Sequence, residues 1–190
     1  MPGSPTRHPA AIGRLRFTIN HATIVPMTET LHTRHRLLIM VGSLGPLGHM
    51  PASGTVTVAL IGPPLFWLVH DWPWPMFVFL TLSFALASVW LHSVGDRILG
   101  EKDSRKLVWD ELAGFLFAVP FLPFTPHLAI LAVLIERALD ITKIPPANWI
   151  EKRWPGGWGV VGDDVVAGLY TCAILHAIVR LAPGWVGITS

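Results

Sequence analysis

Apolar and polar positions along this chain fall in long blocks. Runs at 56–69, 76–94, 107–124, 127–135 and 165–181 are dominated by apolar residues, and segments rich in Gly, Pro and charge divide them. Runs of this length predict helices, and the fold class that follows is all-α: a compact bundle of membrane-embedded or membrane-associated helices with polar loops on one face. The run at 76–94 is the cleanest spanning segment, close to the ~20 residues that a bilayer core requires. The run at 165–181 is a second, ending at Pro183-Gly184. Pro63-Pro64 predicts a kink or a fresh helix start inside the first run. The runs joined at Pro123-Phe124-Thr125-Pro126 are short and fit a helical hairpin that dips into the bilayer, with its acids left at the water side.

Between these runs, VGSLGPLGHMPASGT at 41–55 predicts a loop with unusual backbone angles, either presenting N–H groups to an anion or serving as a plain linker. His70 to Pro75 predicts a turn with Trp72 and Trp74 at interface height. Residues 95–105 predict a polar loop, and residues 142–162 another, broken by Pro145-Pro146 and Pro155-Gly156-Gly157.

Composition sharpens the membrane reading. The 190 residues are 52% hydrophobic and 14% charged, and nine are Trp, the side chain of bilayer-interface belts. Cys172 is the single cysteine, which excludes an intramolecular disulfide framework and a multi-cysteine zinc site. A formal charge of +2 is too mild for nucleic-acid binding. Residues 1–36 set Arg7, Arg14, Arg16, Arg34 and Arg36 against Glu29 and show no signal-peptide apolar core, so they read as a mobile basic arm on the cytoplasmic side. Met27 is an alternative start. Residues 37–190 form one membrane domain, whose oligomeric state is left open. With the arm inside, the spans bring every cationic segment and every acid cluster to the cytoplasmic face, as the positive-inside rule expects.

The acids organise the chemistry. Asp110-Glu111, then Glu136-Arg137, Asp140 and Lys143, then Asp163-Asp164 each sit at the edge of an apolar run. Glu136, Asp140 and Lys143 share one helical stripe at i, i+4 and i+7, with Arg137 one position off it. Carboxylates flanked by cations suit a divalent ion beside a phosphate, and the plain alternative is a salt-bridged face. Asp110 and Glu111 also read as helix-start acids, and one of Asp163 and Asp164 as an N-cap. Gly114 and Gly168, each four residues after an Asp, leave room for a close helix approach. Hard oxygen donors without His-rich spacing point to Mg²⁺ rather than Zn²⁺. The expected metal ligands and catalytic residues are Asp110, Glu111, Asp140, Asp163 and Asp164, with Arg137 and Lys143 on the phosphate. His92, His127 and His176 read as structural or interfacial, and Cys172 as core packing.

Asp103…LVWDELAG, ERALDITKIPP and GGWGVVGDDVVAG together resemble the sequence blocks of the phosphatidylglycerophosphatase A family, over roughly 41–181. HMPASGTVTV is similar to that family's Pro-Gly-Thr loop, with Ser53 where proline is usual and Thr57 where glycine is usual. KIPP replaces a Lys-Pro-x-Pro pattern. The resemblance implies an all-α, Mg²⁺-dependent enzyme that removes the terminal phosphate of phosphatidylglycerophosphate, a phospholipid substrate in the bilayer, on the cytoplasmic face of the bacterial inner membrane. It implies functional roles for Asp110, Glu111, Arg137, Asp140, Lys143, Asp163 and Asp164, with Thr55, as a phosphate contact, and Asp103 in a second tier.

Three other classes compete. An ion or proton transporter predicts acids near span midpoints. A non-catalytic scaffold predicts acids kept for folding. A phosphatidyl transferase lacks its usual Asp-Gly-x-x-Ala-Arg motif here. For hydrolysis, direct attack by water and a phospho-aspartyl intermediate both remain open.

Overall fold

The computed structural model describes residues 25–188, and among them all regular structure is helical. The helices are α1 (Val25–Gly42), α2 (Ser53–Val69), α3 (Trp74–Leu99), α4 (Trp109–Ala118), α5 (Pro126–Thr142), α6 (Ala147–Arg153) and α7 (Gly157–Leu181). Short 3-10 turns occupy Leu47–His49 and Pro183–Val186. The part of the basic arm before residue 25 lies outside the described residues.

Punctuation in the sequence sets several helix ends. Pro126 opens α5, and the Thr125 hydroxyl accepts the Leu128 amide at 3.0 Å as its N-cap. Gly100, at φ 75°, stops α3 in the left-handed conformation that glycine adopts without strain.

Helices α2, α3, α4, α5 and α7 run alternately up and down and pack around Phe66, Phe115, Leu116, Leu122, Leu128 and Leu175, all fully buried or nearly so. Lipid tails are as apolar as leucine, so close packing rather than water exclusion must hold such helices together. Small residues supply it. Gly62, for example, faces the ring of Phe115, which a Cβ would approach to 3.1 Å. The alternation gathers the starts of α2, α4 and α7 and the ends of α3 and α5 at one end of the bundle.

Two helices, α3 and α7, are long and apolar enough to cross a membrane, and only 33% and 28% of their apolar windows are buried. Their outward faces carry Phe79, Leu82, Leu86, Trp90, Leu169 and Ile174. An apolar surface this extensive marks a face that meets a bilayer or another protein.

Several boundaries differ from the sequence expectation. α2 passes through Pro63 and Pro64 without a fresh start, each proline lacking the N–H that would pair with the carbonyl four residues earlier. α3 continues to Leu99, so residues 95–99 are helical, and Gly95 serves to admit the Leu107 side chain. α1 and α2 shorten the expected loop at 41–55 from both sides, and α6 interrupts the one at 142–162. α7 begins at Gly157, in the glycine-rich stretch expected to be a loop. Those glycines pack closely on neighbouring backbone: a Cβ at Gly159 would meet the carbonyls of Trp154 at 2.8 Å and Glu151 at 2.9 Å.

Candidate active site

Arg137 is the buried cation around which the site is built. Its guanidinium forks onto Glu136, with Nε 2.6 Å from Oε2 and Nη2 2.7 Å from Oε1. The same group reaches Asp140 Oδ2 from Nη1 at 3.2 Å and Asp164 Oδ1 from Nη2 at 3.3 Å. Arg137 thus joins α5 to α7, and Glu136, fully buried, holds the guanidinium rather than facing solvent on a stripe.

Lys143 departs from the predicted stripe. It is the C-cap of α5 with φ 48°, a left-handed turn that swings the side chain off the helix face. Its Nζ sits 2.8 Å from both Asp163 Oδ2 and Glu151 Oε1. Burial alone would lower its pKa, but the hydrogen bonds to Asp163 and Glu151 outweigh that and hold it well above the ordinary lysine value.

Asp110 and Glu111 occupy the first turn of α4, where the exposed amides and macrodipole favour carboxylates. Trp109 Nε1 donates to the Val41 carbonyl at 2.9 Å and the Val108 amide to the Gly42 carbonyl at 3.0 Å, fixing this helix start against the end of α1. Asp163 and Asp164 lie in the second turn of α7, so neither caps the helix, which corrects the N-cap expectation. They reach the site because α4 and α7 touch through glycine. A Cβ on Gly168 would strike the Gly114 carbonyl, and one on Gly114 would meet the Asp164 carbonyl at 2.8 Å and Glu136 Oε1 at 2.9 Å. A Cβ on Gly54, in the first turn of α2, would strike the Glu111 carboxylate.

The linker from α3 to α4 closes the other side. Asp96 Oδ2 accepts the Asp103 amide at 3.0 Å and its Oδ1 the Ser104 amide at 3.1 Å. The Ser53 hydroxyl donates to the Arg105 carbonyl at 2.5 Å, tying the start of α2 to this linker. Partial desolvation at the cleft wall, then the nearby Asp110 charge, raises the Asp103 pKa.

These elements enclose a cleft of about 620 Å³. One wall carries Asp110, Glu111, Asp140, Asp163 and Asp164 with Arg137 and Lys143, and the other the 48–55 segment with Arg105 and Lys106. The family model for phosphatidylglycerophosphatase A matches residues 40–179, which take in every one of these groups.

The chain belongs to the phosphatidylglycerophosphatase A family. It is similar to the phosphatidylglycerophosphatase A of Escherichia coli, 30% identical over 146 residues covering 76% of this chain and 82% of that protein. It is also similar to the phosphatidylglycerophosphatase A of Haemophilus influenzae, 29% identical over 126 residues covering 66% of this chain and 71% of that protein. No solved structure matches. Family membership makes the chain an enzyme, a phosphatase.

All the residues expected from the sequence, Thr55 and Asp103 included, line the one cleft. Ser53 has a specific partner in the Arg105 carbonyl. Sequence reasoning missed Glu151, which holds Lys143, and Asp96 and His92, which stand behind Asp110. The i,i+4 spacing of His92 and Asp96 in an apolar helix was the available signal for the last two. Among the described residues no group of three or more His, Cys, Asp or Glu is arranged to hold a metal ion by itself. The carboxylates nevertheless outnumber Arg137 and Lys143, and Glu111 Oε2 is buried without a hydrogen bond. That donor set fits a hard cation shared with a ligand better than a closed cage.

Proposed function

We propose that this protein hydrolyses the terminal phosphomonoester of phosphatidylglycerophosphate, giving phosphatidylglycerol and phosphate, with Mg²⁺ bound, on the cytoplasmic face of the bacterial inner membrane. The observation that carries the reading is the convergence of acids from α4, α5 and α7 with Arg137 and Lys143 in one cleft at the end of an apolar bundle. The names of the E. coli and H. influenzae relatives supply the substrate.

Mg²⁺ is held by one or two carboxylates, waters and substrate phosphate oxygens, which suits acids that do not form a cage. Asp110, Glu111, Asp140, Asp163 and Asp164 are the residues that would hold it. When bound, the ion supplies charge neutralisation at the phosphoryl oxygens and an acidified water.

The chain's own groups do the positioning. A lysine ammonium has three donors, and two of those on Lys143 are directed at Asp163 and Glu151, which leaves one for a phosphate oxygen. Arg137 has five N–H groups, and its contacts with Glu136, Asp140 and Asp164 leave one on Nη1. These donors are fixed before substrate arrives, so they stabilise developing negative charge without reorganising. Thr55, exposed on the cleft rim, offers a hydroxyl to the same phosphate. The acyl chains stay in the bilayer beside the apolar faces of α3 and α7.

Phosphate release from phosphatidylglycerophosphate, phosphatidic acid and water-soluble glycerol phosphate, compared with purified protein in mixed micelles, tests the reading. Preference for the first is expected, and release from phosphatidic acid alone would contradict the substrate. Single turnover in ¹⁸O-water separates the two hydrolytic routes: label in phosphate, with none on any Asp, shows direct attack by water.

A further inference from the structure

A buried chain of three side chains runs behind the acid wall. His92, on α3, has no exposed surface. Its Nε2 lies 3.1 Å from Asp110 Oδ1 on α4, and its Nδ1 lies 3.7 Å from Asp96 Oδ1 one helical turn along α3. Neither approach has full hydrogen-bond geometry, the second being too long, so these are close polar contacts between a buried ring and two carboxylates. Asp96 is anchored in turn by the Asp103 and Ser104 amides. A histidine with carboxylates facing both ring nitrogens, inside an apolar helix bundle, is not the arrangement of a packing residue. A buried polar ring without partners costs free energy, and leucine would fill the space without that cost.

We propose that His92 is a positioning residue that sets the orientation of the Asp110 carboxylate, with Asp96 setting the ring. The His92 contact engages Oδ1 of a carboxylate that lines the cleft and so restrains its rotation. Because Asp96 also holds the backbone of 103–104, the same chain couples the linker that walls the cleft to the carboxylate inside it. The ring reaches the reaction through Asp110 and touches neither lipid nor phosphate. Outer partners of this kind orient ligating carboxylates, and their loss weakens metal binding 10- to 100-fold in known sites. The inference rests on Asp110 being a carboxylate of the reaction site.

The test uses the full chain in detergent, with His92→Ala and His92→Gln. Gln keeps an N–H donor at similar reach, and Ala removes it. Mn²⁺ binding, read by electron paramagnetic resonance without substrate, is expected to weaken about 10- to 100-fold in His92→Ala and to recover in large part in His92→Gln. In phosphate release, kcat is expected to fall in His92→Ala with KM nearly unchanged, again with recovery in Gln. Folded variants with Mn²⁺ affinity and kcat equal to the wild type would overturn the proposal. So would loss of folding in both variants, which would make His92 a packing residue, or equal damage in both. If the wild type binds Mn²⁺ yet releases no phosphate from any lipid, the functional reading fails while the Mn²⁺ comparison still decides this one.

Discussion

Gly168 lies directly against the backbone carbonyl of Gly114, and that contact brings the α7 acids to the α4 acids. Asp164 is one helical turn before Gly168 and Asp110 one turn before Gly114, so the crossing of the two helices registers both carboxylates at the same end. A side chain at either glycine separates the helices where the site needs them together.

Gly168→Ala is therefore expected to cost about 1–3 kcal/mol of stability through overpacking. The added Cβ strikes the Gly114 carbonyl, which is backbone and cannot rotate away, with the carbonyl carbon and the Phe117 Cβ each at 3.0 Å. Thermal unfolding in detergent reads the loss. Gly54→Ala presses instead on the Glu111 side chain, and should lower turnover with a smaller change in melting temperature.

Glu136→Ala leaves the Arg137 guanidinium buried without its forked partner. Breaking a buried pair from one side costs about 3–5 kcal/mol. The expected result is a large drop in melting temperature, against a small one for Lys143→Ala, whose side chain is one-third exposed.

Lys143→Ala is expected to reduce kcat by about 10²–10³-fold, the usual effect of losing one preorganised donor at a developing anion. The pKa of Lys143 is raised, so whatever its charge contributes to stability is complete below the ordinary lysine value of about 10.4 and is lost only as pH rises through the higher folded value. The melting difference between wild type and Lys143→Ala should accordingly not shrink as pH rises from about 6 to about 9. A difference that shrinks across that range would contradict the pairing with Asp163 and Glu151.

Asp103→Asn should stabilise the protein at neutral pH. Asp103 has its pKa raised, so the folded state disfavours its charge, and stability falls as pH rises through the raised value. Its φ of 58° is also a conformation that Asn tolerates well. Melting at pH 7 should rise in the variant, and the gain should vanish at pH below about 4, where both states of the wild type are protonated.

Much of this arrangement was legible in the sequence, because apolar runs and the acids at their edges are local features. Gly114 and Gly168 were readable as close-approach points, since spacing alone put each one turn from an acid. The glycine-rich 157–162 stretch was not, because its helicity comes from packing on Val89, Trp154 and Glu151, which no local propensity encodes. Lys143 leaves the face that helical spacing predicts because it takes a left-handed turn, which spacing does not encode. The setting of His92 was not legible because its partners stand 4 and 18 positions along the chain, and only the fold brings the second one to the ring.

The central claim is that the converged acids and cations perform metal-dependent phosphate release from phosphatidylglycerophosphate. Purified protein assayed with Mg²⁺, with excess chelator, and as Asp140→Asn with Mg²⁺ tests it most directly. The account predicts release with Mg²⁺, none with chelator, and none from a variant that melts like the wild type. Release that survives both chelation and Asp140→Asn would contradict it.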